Sequence, residues 1–117
     1  MDIEKFREYC LSKPCATEDF PFDDDLLTFR VCNKIFACIS MGNPELAVMK
    51  CDPARALDLR EQFSAIEGAF HWNKKYWNQV RFNSDAGDKL ILELVDHSYE
   101  EVVKKLTRKE REVIEGK

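Results

Sequence analysis

The chain is predicted to adopt an α+β fold, a two-layer sandwich with an antiparallel sheet, in the order α-β(3)-α-β(2)-α. Three observations point to it. A capped, one-sided apolar pattern opens the chain, period-2 alternation recurs within residues 27–50 and again within 69–82, and apolar residues return at helical spacing from Leu90. With 117 residues, 44% hydrophobic and 34% charged, the chain suits a single domain spanning 1–117 that buries one core without staples.

Asp2 is placed to cap a first helix in which Ile3, Phe6 and Cys10 share a side. Pro14 stops it, because proline lacks the amide donor and pushes Lys13 out of helical geometry. After the acidic turn Asp23-Asp24-Asp25, Leu27, Phe29 and Val31 alternate with Thr28 and Arg30, as in a strand with one buried side. A tight turn is expected at Cys32-Asn33. "KIFACIS" and "ELAVMK" follow as two more strands, separated by the turn formers Gly42, Asn43 and Pro44, which makes a three-stranded meander. Asp52 then caps a helix with Pro53 at its first position, and Ala56, Leu59 and Phe63 line one side as it crosses the sheet.

From Gly68 the pattern is extended again. "AFHW" and "YWNQVRF", joined by Asn73, Lys74 and Lys75, read as a second hairpin. Alternation sends Tyr76, Asn78, Val80 and Phe82 to one side, the better core set, and Trp77, Gln79 and Arg81 to the other. Leu90, Ile91, Leu94 and Val95 mark a further amphipathic helix. Ser98 with Glu101 and Thr107 with Glu110 have capping-box spacing, so the C-terminal part is expected as consecutive short helices.

Composition narrows the function. No apolar stretch approaches the roughly 20 residues of a membrane span, and the charged start is unlike a signal peptide, so a cytoplasmic location with no membrane partner is expected. The five cysteines, Cys10, Cys15, Cys32, Cys38 and Cys51, include no C-x-x-C pair and read as free, buried thiols. Acids outnumber bases 22 to 18, which disfavours strong non-specific binding to nucleic acid. The charge is segregated, however. Residues 18–25, "EDFPFDDD", hold five acids and no base, whereas residues 68–84 hold three bases and no acid.

Catalytic motifs are not assembled. His71, expected in a strand, and His97, expected at a helix junction, have neither a nucleophile motif nor a carboxylate at ligand spacing, and local hydrogen bonds suffice for both. Asp23, Asp24 and Asp25 lack the alternating ligands and the glycine of a calcium loop and read as a solvated turn. "LTRKEREVIEGK" resembles the opening of a LuxR-type helix-turn-helix, but no recognition helix follows it, so a capped terminal helix is expected. No enzyme activity, cofactor or metal is expected.

What remains is "HWNKKYWNQVRFN", residues 71–83, which combines aromatic faces able to stack on bases with cations able to hold phosphates. The same residue types are ordinary sheet and core residues, so a structural and a binding reading both stand.

Taken in order, "PFDDD", "NKIFACI", "HWNKKYWNQV" and "DHSYEEVVKKL" resemble the MmcQ/YjbR family of small bacterial proteins over nearly the whole chain. The motif positions are Pro21 and Phe22, Lys34 with Phe36, then His71, Asn73, Lys74 and Trp77, and finally Ser98 and Tyr99. Two positions depart from the pattern: Asp23 where glycine is common, and Tyr76 where histidine is frequent. The resemblance implies a CyaY-like or secretion-chaperone-like sandwich and a DNA-binding role. In that role Lys74, Lys75 and Arg81 would contact phosphates, with Lys34 extending the surface and Trp72, Trp77, His71 and Asn73 beside them. The expected function is therefore a non-enzymatic protein that binds DNA through a cationic aromatic hairpin. The alternative is a chaperone-like adaptor that receives a peptide or a second copy on its sheet.

Overall fold

The structure, a computed structural model, describes residues 1–116. These form helices α1 (Ile3–Leu11), α2 (Pro53–Gln62), α3 (Asp88–Val103) and α4 (Arg108–Glu115). The strands are β1 (Ala16–Asp19), β2 (Leu26–Val31), β3 (Lys34–Ser40), β4 (Asn43–Lys50), β5 (Ile66–Gly68) and β6 (Trp77–Arg81). All six belong to one antiparallel sheet in the spatial order β1-β2-β3-β4-β6-β5. The α+β class is as predicted.

The first helix follows its sequence closely. Asp2 accepts the Lys5 amide at 2.9 Å, and Phe6 and Cys10 are buried. Beyond it, the Pro14 carbonyl accepts the Tyr99 hydroxyl, and Lys13 and Tyr9 both meet Asp96, which ties α1 to α3. Four strands, not three, then precede α2. The additional one, β1, reads "ATED" and borders the sheet, and an edge strand with Thr17 and Asp19 exposed has no apolar alternation to betray it.

Cys32 and Asn33 take positive φ values of 48° and 65°, so the β2–β3 turn lies where predicted. The next turn uses Met41 and Gly42, whereas Asn43 and Pro44 already belong to β4. Asp25 selects that turn: its carbonyl accepts the Met41 amide at 2.7 Å, and its carboxylate accepts the Gly42 amide at 2.7 Å. Asp23 accepts the amides of Asp25 and Leu26, which hold its carboxyl below the ordinary range. Asp23 and Asp25 thus close turns with their side chains.

Two expectations about the second half are corrected. "AFHW" is not a strand, because β5 ends at Gly68 and residues 69–76 form a loop that places His71 off the sheet. After the Ala69 amide bonds the Trp77 carbonyl at 3.1 Å, local turn bonds replace the ladder: the Trp72 amide bonds the Ala69 carbonyl, and the Asn73 carbonyl accepts the amides of Tyr76 and Trp77. Likewise Ser98 caps nothing. It lies fully buried inside the continuous helix α3, and His97 lies there too rather than at a junction. The Thr107–Glu110 capping box is present and starts α4.

One side of the sheet meets the helices. Phe6 of α1 packs edge-on against Phe29 at 5.9 Å and at a 49° tilt against Phe82 at 5.5 Å, and Tyr99 of α3 meets Phe36 edge-on at 5.4 Å. Asn78 and Val80 point to this side, as alternation predicted, and Phe82 is buried with them. All five cysteines are free; Cys10, Cys38 and Cys51 are buried, while Cys15 and Cys32 are half-buried. Among the described residues, no helix is long and apolar enough to cross a membrane.

Two predictions follow from the packing of α3. The Ser98 hydroxyl donates to the Phe36 carbonyl and accepts the Lys50 amide at 2.9 Å. Ser98→Ala should strand both groups and cost about 1–3 kcal/mol in a urea unfolding titration. His97 Nε2 accepts the Asp52 amide at 3.1 Å, and burial, followed by the charge of Arg55, holds its pKa below the ordinary value. The unfolded chain therefore takes up the proton first. The resulting stabilisation is present above about pH 6.5 and lost as pH falls through the folded value. Unfolding midpoints should drop more for the native chain than for His97→Gln between about pH 7.5 and pH 5.

Candidate functional site

Alternation leaves a second side of the sheet that the core does not use. Register lays it out. Thr28 stands opposite Cys38, Cys38 opposite Val48, and Val48 opposite Gln79; one step along, Lys50 stands opposite Trp77, and Arg30 stands opposite Ile35. Loop 69–76 returns over this side, bringing the Trp72 ring to 4.5 Å from that of Trp77 at a 41° tilt.

A groove of about 460 Å³ runs beside the paired tryptophans. Trp72 and Trp77 form one wall, Ile35 with Val102 and Leu106 from the end of α3 and just beyond supplies apolar surface, and Arg30, Lys34, Lys50 and Lys105 add charge; among the described residues no carboxylate lines it. Lys50 lies 5.9 Å from the Trp77 ring centroid. Burial depresses its pKa, and the charge of Lys105 depresses it further, outweighing the opposing pull of Glu101. Arg30 is partly neutralised by Asp19, 3.0 Å away. Lys105 and Lys75 both lie over the Tyr76 ring, at 5.3 and 5.4 Å, so positive charge continues past the groove's end.

A second cavity of about 350 Å³ adjoins the first. Leu26, Cys38, Leu46 and Val48 supply its apolar floor, and Phe70, His71 and Trp72 overhang it. Trp72 belongs to both cavities. Burial pushes the Cys38 thiol up to about 12, so this floor is uncharged at neutral pH.

Of the residues singled out in the sequence, Trp72, Trp77 and Lys34 meet in the first groove. His71 overhangs the second, and its ring contacts Phe70 edge-on at 4.5 Å. Asn73 organises the loop, its side chain accepting the Lys75 amide at 3.0 Å. The three hairpin cations do not converge. Lys74 lies over Phe70 at 5.7 Å, and its carbonyl holds Arg60; Lys75 lies over Tyr76; Arg81 sits opposite Leu46, four residues along β6 from Trp77. That separation is about 13 Å along an extended strand.

Arg30, Lys50 and Lys105 were missed. Lys50 carries a readable signal, since Leu46, Val48 and Lys50 alternate together on one side of β4, but its partner Trp77 depends on a strand register that crosses a helix. Lys105 comes from the turn after α3 and has no local signal.

Comparison with known proteins places this architecture. The YjbR family model matches residues 11–101. The uncharacterized protein YjbR of Escherichia coli K12 is 30% identical over 115 residues, covering 97% of this chain and 98% of its own length. The uncharacterized protein YbdF of Escherichia coli O157:H7 is 26% identical, covering 92% of this chain and 89% of its own length. Among solved structures, Deinococcus radiodurans protein DR2400, with a DUF419 domain, superposes with a TM-score of 0.89 at 32% identity, over 96% of this chain and 86% of that one. A protein from Pseudomonas syringae gives 0.69 at 26% identity, over 84% of this chain and 96% of that one. On the full-length identity to YjbR and the match of the family model, this chain belongs to the YjbR family.

Proposed function

We propose that this protein is a non-enzymatic binding protein that takes nucleic acid in the groove beside Trp72 and Trp77, where loop 69–76 and the end of α3 meet the sheet. The observation that carries this reading is the groove in which two tryptophans and four cations meet with no lining carboxylate among the described residues. Cations attract phosphates, and indole faces stack on bases whatever their sequence. The DNA-binding role implied by the family resemblance agrees. The binding surface is redrawn: Lys34, Trp72 and Trp77 stay, Arg30, Lys50 and Lys105 join, Lys75 extends one end, and Lys74 and Arg81 lie apart.

A second reading has its own observation. At the acidic end, Phe22 is 72% exposed and Phe20 45% exposed, beside a groove of about 530 Å³ lined by Ile3, Leu27 and Met41 with Glu4, Asp19 and the Arg7–Glu18 pair. This surface suits an apolar peptide or a second copy, the adaptor role.

Salt distinguishes the two. Three or four phosphate contacts give single-strand affinity a log–log salt slope of roughly −2 to −3. Replacing Lys50 and Lys105 together by alanine should flatten it by about 1.4, whereas replacing Lys74 and Arg81 should change it less. No binding of single-stranded or duplex oligonucleotides in an anisotropy titration at low ionic strength would sink the nucleic-acid reading. Lys50 provides a direct reporter: its side-chain NMR signal should titrate below the ordinary lysine value, and a bound oligonucleotide should raise that value, because a phosphate adds negative charge beside it.

A further inference from the structure

We propose that the apolar cavity under Phe70, His71 and Trp72 receives one nucleobase of a single strand, turned out from its neighbours, while the flanking phosphates lie in the cationic groove. This rests on the nucleic-acid reading above and adds to it a ligand class and a second subsite.

The two cavities are consecutive parts of one surface. On β4, Lys50 belongs to the groove and Val48 and Leu46 to the cavity; on β6, Trp77 belongs to the groove and Gln79 to the cavity. Lys50 pairs with Trp77 and Val48 with Gln79, so the two subsites lie two residues apart along the same strands. That is about 7 Å, the scale of one nucleotide step. Trp72 stands between them as a shared wall.

Their chemistry divides as a nucleotide's does. The groove offers cations and no carboxylate among the described residues, which suits phosphate. The cavity offers Leu46, Val48 and the protonated Cys38 thiol below, with the rings of Phe70 and Trp72 above, which suits a flat, uncharged ring. At about 350 Å³ it falls at the small end of the roughly 300–1,000 Å³ typical of ligand sites. Its polar rim is divided too. Gln79 is already engaged, its carbonyl by the Phe70 amide at 3.2 Å and its amide by Glu67 at 2.5 Å, so it fixes the loop. His71 and Asn43 are exposed, and neither side chain hydrogen-bonds another described residue, which leaves both able to meet a base edge.

A duplex would have to unpair and unstack a base to use the cavity, whereas a single strand pays no pairing cost. The site should therefore prefer single strands, and the preference should depend on the base rather than on the backbone.

The test compares three labelled probes by fluorescence anisotropy: a thymidine oligonucleotide, the same backbone with abasic sites, and a matching duplex. The base-bearing single strand should bind roughly tenfold tighter than the abasic one, the scale of losing a stacked base, and tighter than the duplex. Val48→Trp, which fills the cavity from its floor, should erase the difference between the two single strands and leave abasic binding intact. If that variant does not fold, the exposed loop substitution His71→Ala decides, with a several-fold loss expected for the thymidine strand alone. Equal affinity for base-bearing and abasic strands, or a His71→Ala loss shared by both, overturns the cavity and leaves the groove standing. Absence of binding by all three probes overturns both readings.

Discussion

The interaction on which the rest depends is the buried hydroxyl of Ser98. Met49 pairs with Ala37, so the next rung of the β3–β4 ladder would join Lys50 to Phe36. A bulge prevents it: Phe29 pairs with Ala37 and Arg30 with Ile35, which leaves Phe36 without a partner on β2 and frees its side chain for the core. Two backbone groups are thereby left facing a helix, and Ser98 satisfies both, donating to the Phe36 carbonyl and accepting the Lys50 amide. A buried hydrogen bond adds little net stability, but an unmet one costs much more, so a single oxygen fixes where α3 sits on the sheet. It also fixes where β4 ends, and therefore where the Lys50 side chain emerges on the opposite side.

That coupling explains how one sheet serves two purposes. Phe36, Met49 and Val80 point toward α1 and α3 and exclude water, while Lys50, Trp77 and Gln79, their neighbours in sequence or across the ladder, point the other way. The second side is half-covered by loop 69–76. Half-coverage matters electrostatically: burial and the charge of Lys105 lower the Lys50 pKa, with Glu101 opposing them more weakly, and the groove keeps a positive lining. Acids stand near the groove without lining it: Asp19 pairs with Arg30, Glu101 acts on Lys50, and Glu110, which caps α4, feels the charge of Lys34, while Asp23 and Asp25 close turns elsewhere.

The parts of the fold that could be read in the sequence are those with local causes. Asp2, Asp52 with Pro53, and Thr107 with Glu110 are caps whose partners lie within three residues, and each starts a helix as expected. Strands with one wet side, such as β6, showed their alternation. The failures share a cause in tertiary context. β1 is held by pairing with β2 and has no pattern of its own. Ser98 has capping-box spacing yet is worth more to the core at the bulge than to a helix start. "AFHW" has strand-like composition, but the Asn73 carbonyl and side chain turn the chain before a longer ladder can form. For the site, aromatic composition found Trp72 and Trp77, but the cations around them come from β2, β3, β4 and the segment after α3, and only the folded register brings those together.

The resemblance motifs can now be divided by what their residues do. Phe36, Ser98 and Tyr99 build the junction of α3 with the sheet: Ser98 bridges the ladder, and Tyr99 packs on Phe36 while its hydroxyl holds the Pro14 carbonyl. Asn73 and Trp77 shape and anchor loop 69–76, and Lys74 contributes its carbonyl to Arg60, whose guanidinium also meets Asn78 at 2.7 Å. His71 and Lys34 are motif positions whose side chains face the cavities. The motif therefore specifies a loop held over an uncovered sheet more than it specifies a cluster of charges. Lys50 and Lys105 are not motif positions, and with Arg30 and Lys34 they supply the charge. A scaffold of this kind keeps the paired tryptophans in place through its core, and under the nucleic-acid reading proposed above its attraction for phosphate is set by a few side chains that the core does not need.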